Sequence, residues 1–334
     1  MFDLKRFNLA RLISRSGTVG LMVAFGAVVY AVALVVVFPY ERVGEFAEAT
    51  ASTLGYDVEI GETGPTFGVG VKLDEIRVRT RPRAGSKPVS FLIETARVTT
   101  SPLKNLTGGL AYDFEAEVFG GQLAVSVEAD SKQGEGKVNV QGLDLAQLPG
   151  IKESFGIPLA GKVSADVALV LPKLKAAEAD GTVQIQCAGC SAGDGKAKLR
   201  VDSNPLLAEG LTIPRLRLGD LEGRIVFEKG TGRIEGMHAK SPDAEIDVEG
   251  TVRLADPADL SQLDLYVTFK LSDKLVKSDD KFQLLLQLAE MQGKRPDGFY
   301  GFRIQGSPRH LRDPQWSKTS PFPPRSRTPK PNAG

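Results

Sequence analysis

"EIDVEGTVRL" (residues 245–254) and "LDLYVTFKL" (263–271) alternate apolar and polar side chains almost without a break. In the second stretch Leu263, Leu265, Val267, Phe269 and Leu271 fall on one face, and Asp264, Tyr266, Thr268 and Lys270 on the other. In the first, Ile246, Val248, Val252 and Leu254 oppose Glu245, Asp247, Glu249, Thr251 and Arg253. A period of two with one apolar face is the pattern of a half-buried antiparallel strand, because successive side chains of a strand point to opposite faces.

The same reading extends outward. "LAYDFEAEV" (110–118), "LAVSVEA" (123–129) and "VSADVALVL" (163–171) alternate in the same way, and the 36 glycines mostly punctuate these short segments. About twelve strands are predicted between residues 57 and 306. Helical signals are few. "ERVGEFAEATASTLG" (41–55) and "DKFQLLLQLAEMQ" (280–292) carry apolar stripes at helical spacing, and "LAQLPGIKESFG" (145–156) reads as a short helical link. Two or three short helices cannot cover the apolar face of a dozen strands. The sheet is therefore expected to cover itself, as a curled trough, a sandwich or a closed barrel. A membrane barrel is disfavoured, since its aromatic girdles need more than the 7% aromatic content here.

Residues 18–38, from Thr18 to Phe38, form a 21-residue run without charge. As a helix it would span roughly 31 Å, one hydrocarbon core. Its eight Val, two Leu and two Phe favour insertion by roughly 5 kcal/mol at about −0.4 kcal/mol each. The run exceeds the apolar region of a signal peptide, and Phe38-Pro39-Tyr40 makes a poor cleavage site. A retained anchor is expected. Lys5, Arg6, Arg11 and Arg15 precede it and only Arg42 follows closely, which places residues 1–17 in the cytoplasm and the rest across the membrane. The expected organisation is a cytoplasmic N-terminus (1–17), a transmembrane anchor (18–38), an amphipathic helix (39–56), an exported β domain (57–312) and a Pro-rich, basic, disordered tail (313–334).

With a net charge of +1 and 25% charged residues, nothing in the composition points to a nucleic-acid partner. Cys187-Ala188-Gly189-Cys190 follows the strand "TVQIQ", and Cys187 shares the face of Val183 and Ile185. The spacing admits a structural disulfide closing a tight turn, a redox pair or half of a metal site. The absence of a helix start after the first Cys, of a second Cys pair and of a nearby His favours the first. Arg77, Arg79, Arg81 and Arg83 alternate along and beyond one strand. Such a cationic face suits lipid headgroups or an acidic partner, or simply pairs with acidic residues of a neighbouring strand. His238 and His310 read as isolated surface residues, and the 280–292 helix as a docking element or as packing on the chain's own sheet. No nucleophile triad, phosphate loop or dinucleotide motif appears, so neither an enzyme nor a cofactor is expected.

The anchor, Pro39, the helix ending in "LGYDVEIGETG" (54–64) and the strand "VGVKLDEIRVRT" (69–80) together resemble the opening of AsmA-like envelope proteins. They are more closely similar to the long form of the type II secretion system protein N family. "LPGIKESFGIPLAGKVSADVALVLP" (148–172), "DGTVQIQCAGCSAGDG" (180–195) and "GFYGFRIQGSPRHLRDP" (298–314) fit the same pattern. The resemblance implies a bacterial inner-membrane protein whose periplasmic domain is a curled, mainly β, AsmA-like sheet. It implies a non-catalytic accessory role in type II protein secretion, with other secretion components in the inner membrane and periplasm as partners. The AsmA-like side implies an alternative, a trough that binds or transfers phospholipid between the membranes. Its apolar lining would then include Val125, Val167, Leu169, Val248, Leu265, Val267 and Phe269.

Overall fold

The computed structural model describes residues 38–53, 56–67, 69–80, 89–149, 157–199, 211–212, 214–256, 260–277, 280–307, 310–311 and 315–323. The expected anchor at 18–38 lies outside them except for its last residue, Phe38. No helix among the described residues is long and apolar enough to cross a membrane.

A helix, α1 (Tyr40–Thr53), leads into β1 (Tyr56–Pro65), β2 (Val69–Thr80) and β3 (Ser90–Thr100). After a short helix, α2 (Pro102–Leu106), come β4 (Leu110–Val118), β5 (Gly121–Ala129), β6 (Gln133–Asp144), β7 (Leu159–Pro172) and β8 (Asp180–Ala192). Then β9 (Lys198–Leu199) and β10 (Leu211–Thr212) pair with each other as a separate ribbon. The main sheet resumes with β11 (Leu216–Glu228), β12 (Thr231–Lys240), β13 (Ala244–Arg253) and β14 (Gln262–Leu271). Helices α3 (Asp273–Val276) and α4 (Asp280–Gly293) precede β15 (Tyr300–Ser307), β16 (His310–Leu311) and β17 (Gln315–Trp316). The strands form one antiparallel sheet in chain order from β1 to β16, omitting the ribbon, with β17 pairing β15. Among the described residues no pairing joins its two ends.

Chain-order pairing follows from tight turns. Val118 pairs with Gly121 across Phe119-Gly120, both at positive φ (52° and 68°). Glu228 pairs with Thr231 across Lys229-Gly230, at 49° and 72°. Positive φ at both central residues is the turn whose twist matches two antiparallel strands, and glycine makes the second position cheap. Gly230 is also fixed by space, since a Cβ there would run into the Ala177 carbonyl oxygen.

The register confirms the alternation read in the sequence. Val98, Phe114, Val125, Val138, Val167, Val183, Ile225 and Ile234 stand opposite one another from β3 to β12. This row is the spine of the apolar face. At the β1–β4 end Leu73, Ile76, Val78, Ala96 and Ala116 form a buried cluster, with Val58, Ile60, Phe91 and Phe114 packed against it.

Three expectations are corrected. The stretch 145–149 is turn rather than helix, and 150–156 lies outside the described residues. The folded part does not stop at 312, because Gln315 and Trp316 pair with Arg303 and Phe302 of β15. Ser317 continues that contact, its N–H donating to Gly301 O at 2.9 Å. Finally, Tyr266 and Thr268 lie on the polar side of the alternation, where solvent exposure is expected, but are buried, at 0% and 8% exposure. The returning C-terminal segment covers Tyr266, whose hydroxyl donates to Ser317 O at 2.9 Å.

Candidate apolar binding face

All seven candidate apolar residues lie on the apolar face of the one sheet. Val125 and Val167 belong to the spine, and Leu169 stands beside it opposite Gly136 and Gly181. Val248 pairs with Val267, which pairs in turn with Phe302, while Leu265 faces Ile304 and Phe269 faces Tyr300. Each of the seven is half-buried. Large apolar side chains that are fully buried on this face are found toward the two ends of the sheet. Leu73, Ile76 and Val78 mark one end, and Phe227, Ile234 and Tyr300 mark the other. Between them, on β5, β6 and β7, no aliphatic side chain is fully buried. Val127 on β5 is 43% exposed. The middle of the face therefore keeps apolar surface open to solvent, which costs free energy until something covers it.

The far end of the face is closed by aromatic packing. Phe269 stacks on Tyr300 with ring centroids 5.4 Å apart, and Trp316 packs on Phe302 and Phe269 at 5.9 and 6.3 Å. The C-terminal turn of α4 reaches this cluster, since a Cβ on Gly293 would lie 2.5 Å from the Trp316 ring. The Tyr300 hydroxyl donates to Glu290 at 3.0 Å. Burial, aided by that carboxylate, pushes the Tyr300 phenol up to about 12. The 280–292 helix thus packs on the chain's own sheet. Phe269 is shielded at this end, while Val125 and Val167 sit in the open middle.

The opposite face is polar and internally paired. Arg224 bridges Glu235 at 2.7 Å, Arg97 faces Glu115 at 3.8 Å, and Arg217 grips Asp243 through Nε and Nη2 at 2.8 and 2.9 Å. Arg303 holds Asp264 in the same two-pronged way, through Nε at 2.7 Å and Nη2 at 2.5 Å. These hydrogen bonds hold the Asp264 and Asp243 carboxyls below their ordinary range, against the opposing effect of burial. A hollow of about 460 Å³ over β4–β8 is lined by Lys137, Asn139, Asp166 and Gln184 together with Ala124, Val125, Val138, Val167 and Ala168.

Arg77 and Arg79 are exposed on β2, with Glu59 and Asp57 of β1 directly opposite. The register therefore supplies acidic neighbours for both, while Arg81 and Arg83 lie outside the described residues. His238 is not isolated: its Nδ1 lies 2.9 Å from Asp247 Oδ1. With Glu245 these are the only three metal-type ligands grouped within 4.8 Å among the described residues. Glu245 already pairs with Lys240 at 3.0 Å.

Cys187 and Cys190 are bonded to each other and both are buried. They do not close a turn at the strand's end. β8 continues through them to Ala192, and the register shifts on both neighbours at this point, between Ala160 and Lys162 and between Arg217 and Leu221. Gly189 takes a left-handed φ of 61°, and its N–H donates to Asp220 at 2.8 Å. The bridge staples a bulge inside the sheet.

Residues 315–317 and Glu48 were missed in the sequence. Glu48 of α1 accepts the Ile60 N–H at 2.8 Å, satisfying a backbone donor on the outer edge of β1. The lone Trp in an otherwise Pro-rich, basic tail was the available signal for the first.

These features define a class, an open antiparallel sheet protein with one apolar and one polar face. Comparison with protein-family models, with curated proteins and with solved structures found no match for this chain.

Proposed function

We propose that the chain is a non-catalytic inner-membrane component of the type II protein secretion machinery, whose β domain serves as a periplasmic interaction platform. The observation that carries the reading is the uncovered apolar middle of the sheet on β5–β7. It is a surface built to be covered by another molecule rather than a site built to react. The sequence resemblance in residues 15–314 names the machine, and the apolar run at 18–38 supplies the anchor. In this reading the open face receives apolar surface of another secretion component.

A second reading is favoured by the same face. The spine is a continuous apolar row long enough to lie along an acyl chain, and a curled sheet would make it a lipid trough. Photo-cross-linking in intact cells separates the two. A benzophenone amino acid at Val125 or Val167 should capture a secretion-platform protein under the first reading and phospholipid under the second. The same probe at Phe269, shielded by Trp316, should capture much less. Loss of both kinds of adduct at Val125 and Val167 would sink both readings.

A further inference from the structure

The end of the sheet that carries the β1–β2 and β3–β4 turns exposes a set of large apolar side chains. Phe67 is fully exposed at 101%, Leu106 is 84% exposed, Leu103 78% and Leu110 53%. Phe67 is in the β1–β2 turn, and Leu103 and Leu106 lie three residues apart on α2, which follows β3 directly. Leu110 opens β4 beside them. Tight turns are ordinarily polar, so an apolar side chain at successive tips requires something to touch.

The direction of α1 says what. A Cβ on Gly44 would lie 2.9 Å from Thr63 Cγ2, and Glu48 accepts from the Ile60 N–H. As the helix advances from 44 to 48, its partner on β1 retreats from 63 to 60. Helix and strand are therefore antiparallel. Tyr40, the start of α1, lies at the Pro65–Phe67 end of β1. The uncharged run 18–38 ends two residues earlier, at Phe38, itself 47% exposed. The chain thus enters the fold at the same end of the sheet that displays Phe67, Leu103, Leu106 and Leu110.

We propose that this end of the sheet rests on the bilayer that holds the anchor, with Phe67, Leu103 and Leu106 inserted in its interfacial layer. Apolar side chains at the tips gain by leaving water, and the anchor has already brought the membrane to them. Lys104, on the same helical turn, is paired with Glu128, and Lys173 with Glu178 at a neighbouring tip. With these two lysines paired, the contact is apolar in origin and salt should change it little.

The inference rests on the anchored topology proposed above, and the test reads the two separately. The full chain is reconstituted in phosphatidylcholine vesicles with and without brominated acyl chains, as Phe67→Trp, Leu106→Trp or Ala146→Trp. Ala146 is exposed in the turn after β6, at the opposite end of the strands. The unmodified chain, with Trp316 alone, gives the baseline. Carbonate extraction reports whether the anchor is inserted. In inserted protein the added emission at 67 and 106 should be blue-shifted and lost in brominated vesicles, at low and high salt alike. Emission at 146 should be unaffected by bromine and quenched by acrylamide. An inserted protein whose 67 and 106 signals behave like 146 would overturn the proposal and leave these side chains to a protein partner.

Discussion

Replacing Trp316 by Ala should open the far end of the sheet without disturbing the rest. Trp316 is 38% exposed, so about 150 Å² of its surface is covered by Phe302, Phe269 and Gly293. At ~25 cal/mol/Å² that burial is worth about 4 kcal/mol. The ordering of the side chain and of the short β17 segment offsets part of it, leaving an expected loss of about 2–3 kcal/mol. The loss should be local. β15 pairs with β14 and with the two short strands β16 and β17, and β1 to β4 are far along the sheet. Native-state hydrogen exchange is the assay. Amides of β14 and β15 should exchange roughly 30- to 150-fold faster, the factor that 2–3 kcal/mol corresponds to, while those of β2–β4 keep their protection. Tyr266→Phe, which removes only the hydroxyl donated to Ser317 O, should give the same pattern at about 1 kcal/mol. Unchanged exchange in β14 and β15, or an increase spread evenly over the sheet, would show that the C-terminal strap does not hold this end.

The remaining expectations concern single groups. Replacing Cys187 and Cys190 together by Ser should cost about 2 kcal/mol, the entropic value for so short a loop, and be read as a modest fall in melting temperature under oxidising conditions only. A fall that persists under reducing conditions would mean that the buried sulfurs matter as packing. Because the folded pKa of Tyr300 is raised to about 12, its contribution is complete below pH ~10 and is lost as pH climbs toward 12. Tyr300→Phe should therefore flatten the alkaline limb of a pH–stability curve and cost about 1 kcal/mol at neutral pH through the lost hydrogen bond to Glu290. Asp264 and Asp243 have depressed pKa values, so their contribution is present above pH ~4 and is lost on acidification below it. Asp264→Asn should lower stability at neutral pH and shrink the acid limb measured by urea titration. Gly230→Ala must add a Cβ against the Ala177 carbonyl at a φ of 72°, whereas Gly108→Ala at 86° meets open space. Both should cost more than ~1 kcal/mol from backbone strain, with the Gly230 variant clearly the worse in chemical denaturation. Equal costs would refute the steric argument.

The strand class and most strand positions were legible because period-two alternation is a local property. "LDLYVTFKL" places Leu265, Val267 and Phe269 on one face whatever surrounds it, and the register in the fold keeps them there. The chain-order meander was implied by short Gly-containing connections such as Lys229-Gly230. What a residue on either face meets is not local. Tyr266 and Thr268 sat on the polar side of the pattern, yet Tyr266 is the most deeply enclosed large side chain among the described residues because residues some fifty positions later fold back across it. Whether the cysteine pair ended a strand or stapled a bulge depended on the register of β7 and β11, which no spacing within β8 encodes. In the same way, single residues such as Phe67 and Leu106 look like ordinary loop hydrophobics in the sequence. Only the antiparallel packing of α1 on β1 puts them at the end of the sheet where the chain enters. Alternation fixes which side of a strand a residue takes, whereas the contacts across the sheet decide whether that side is core, surface or a place for another molecule.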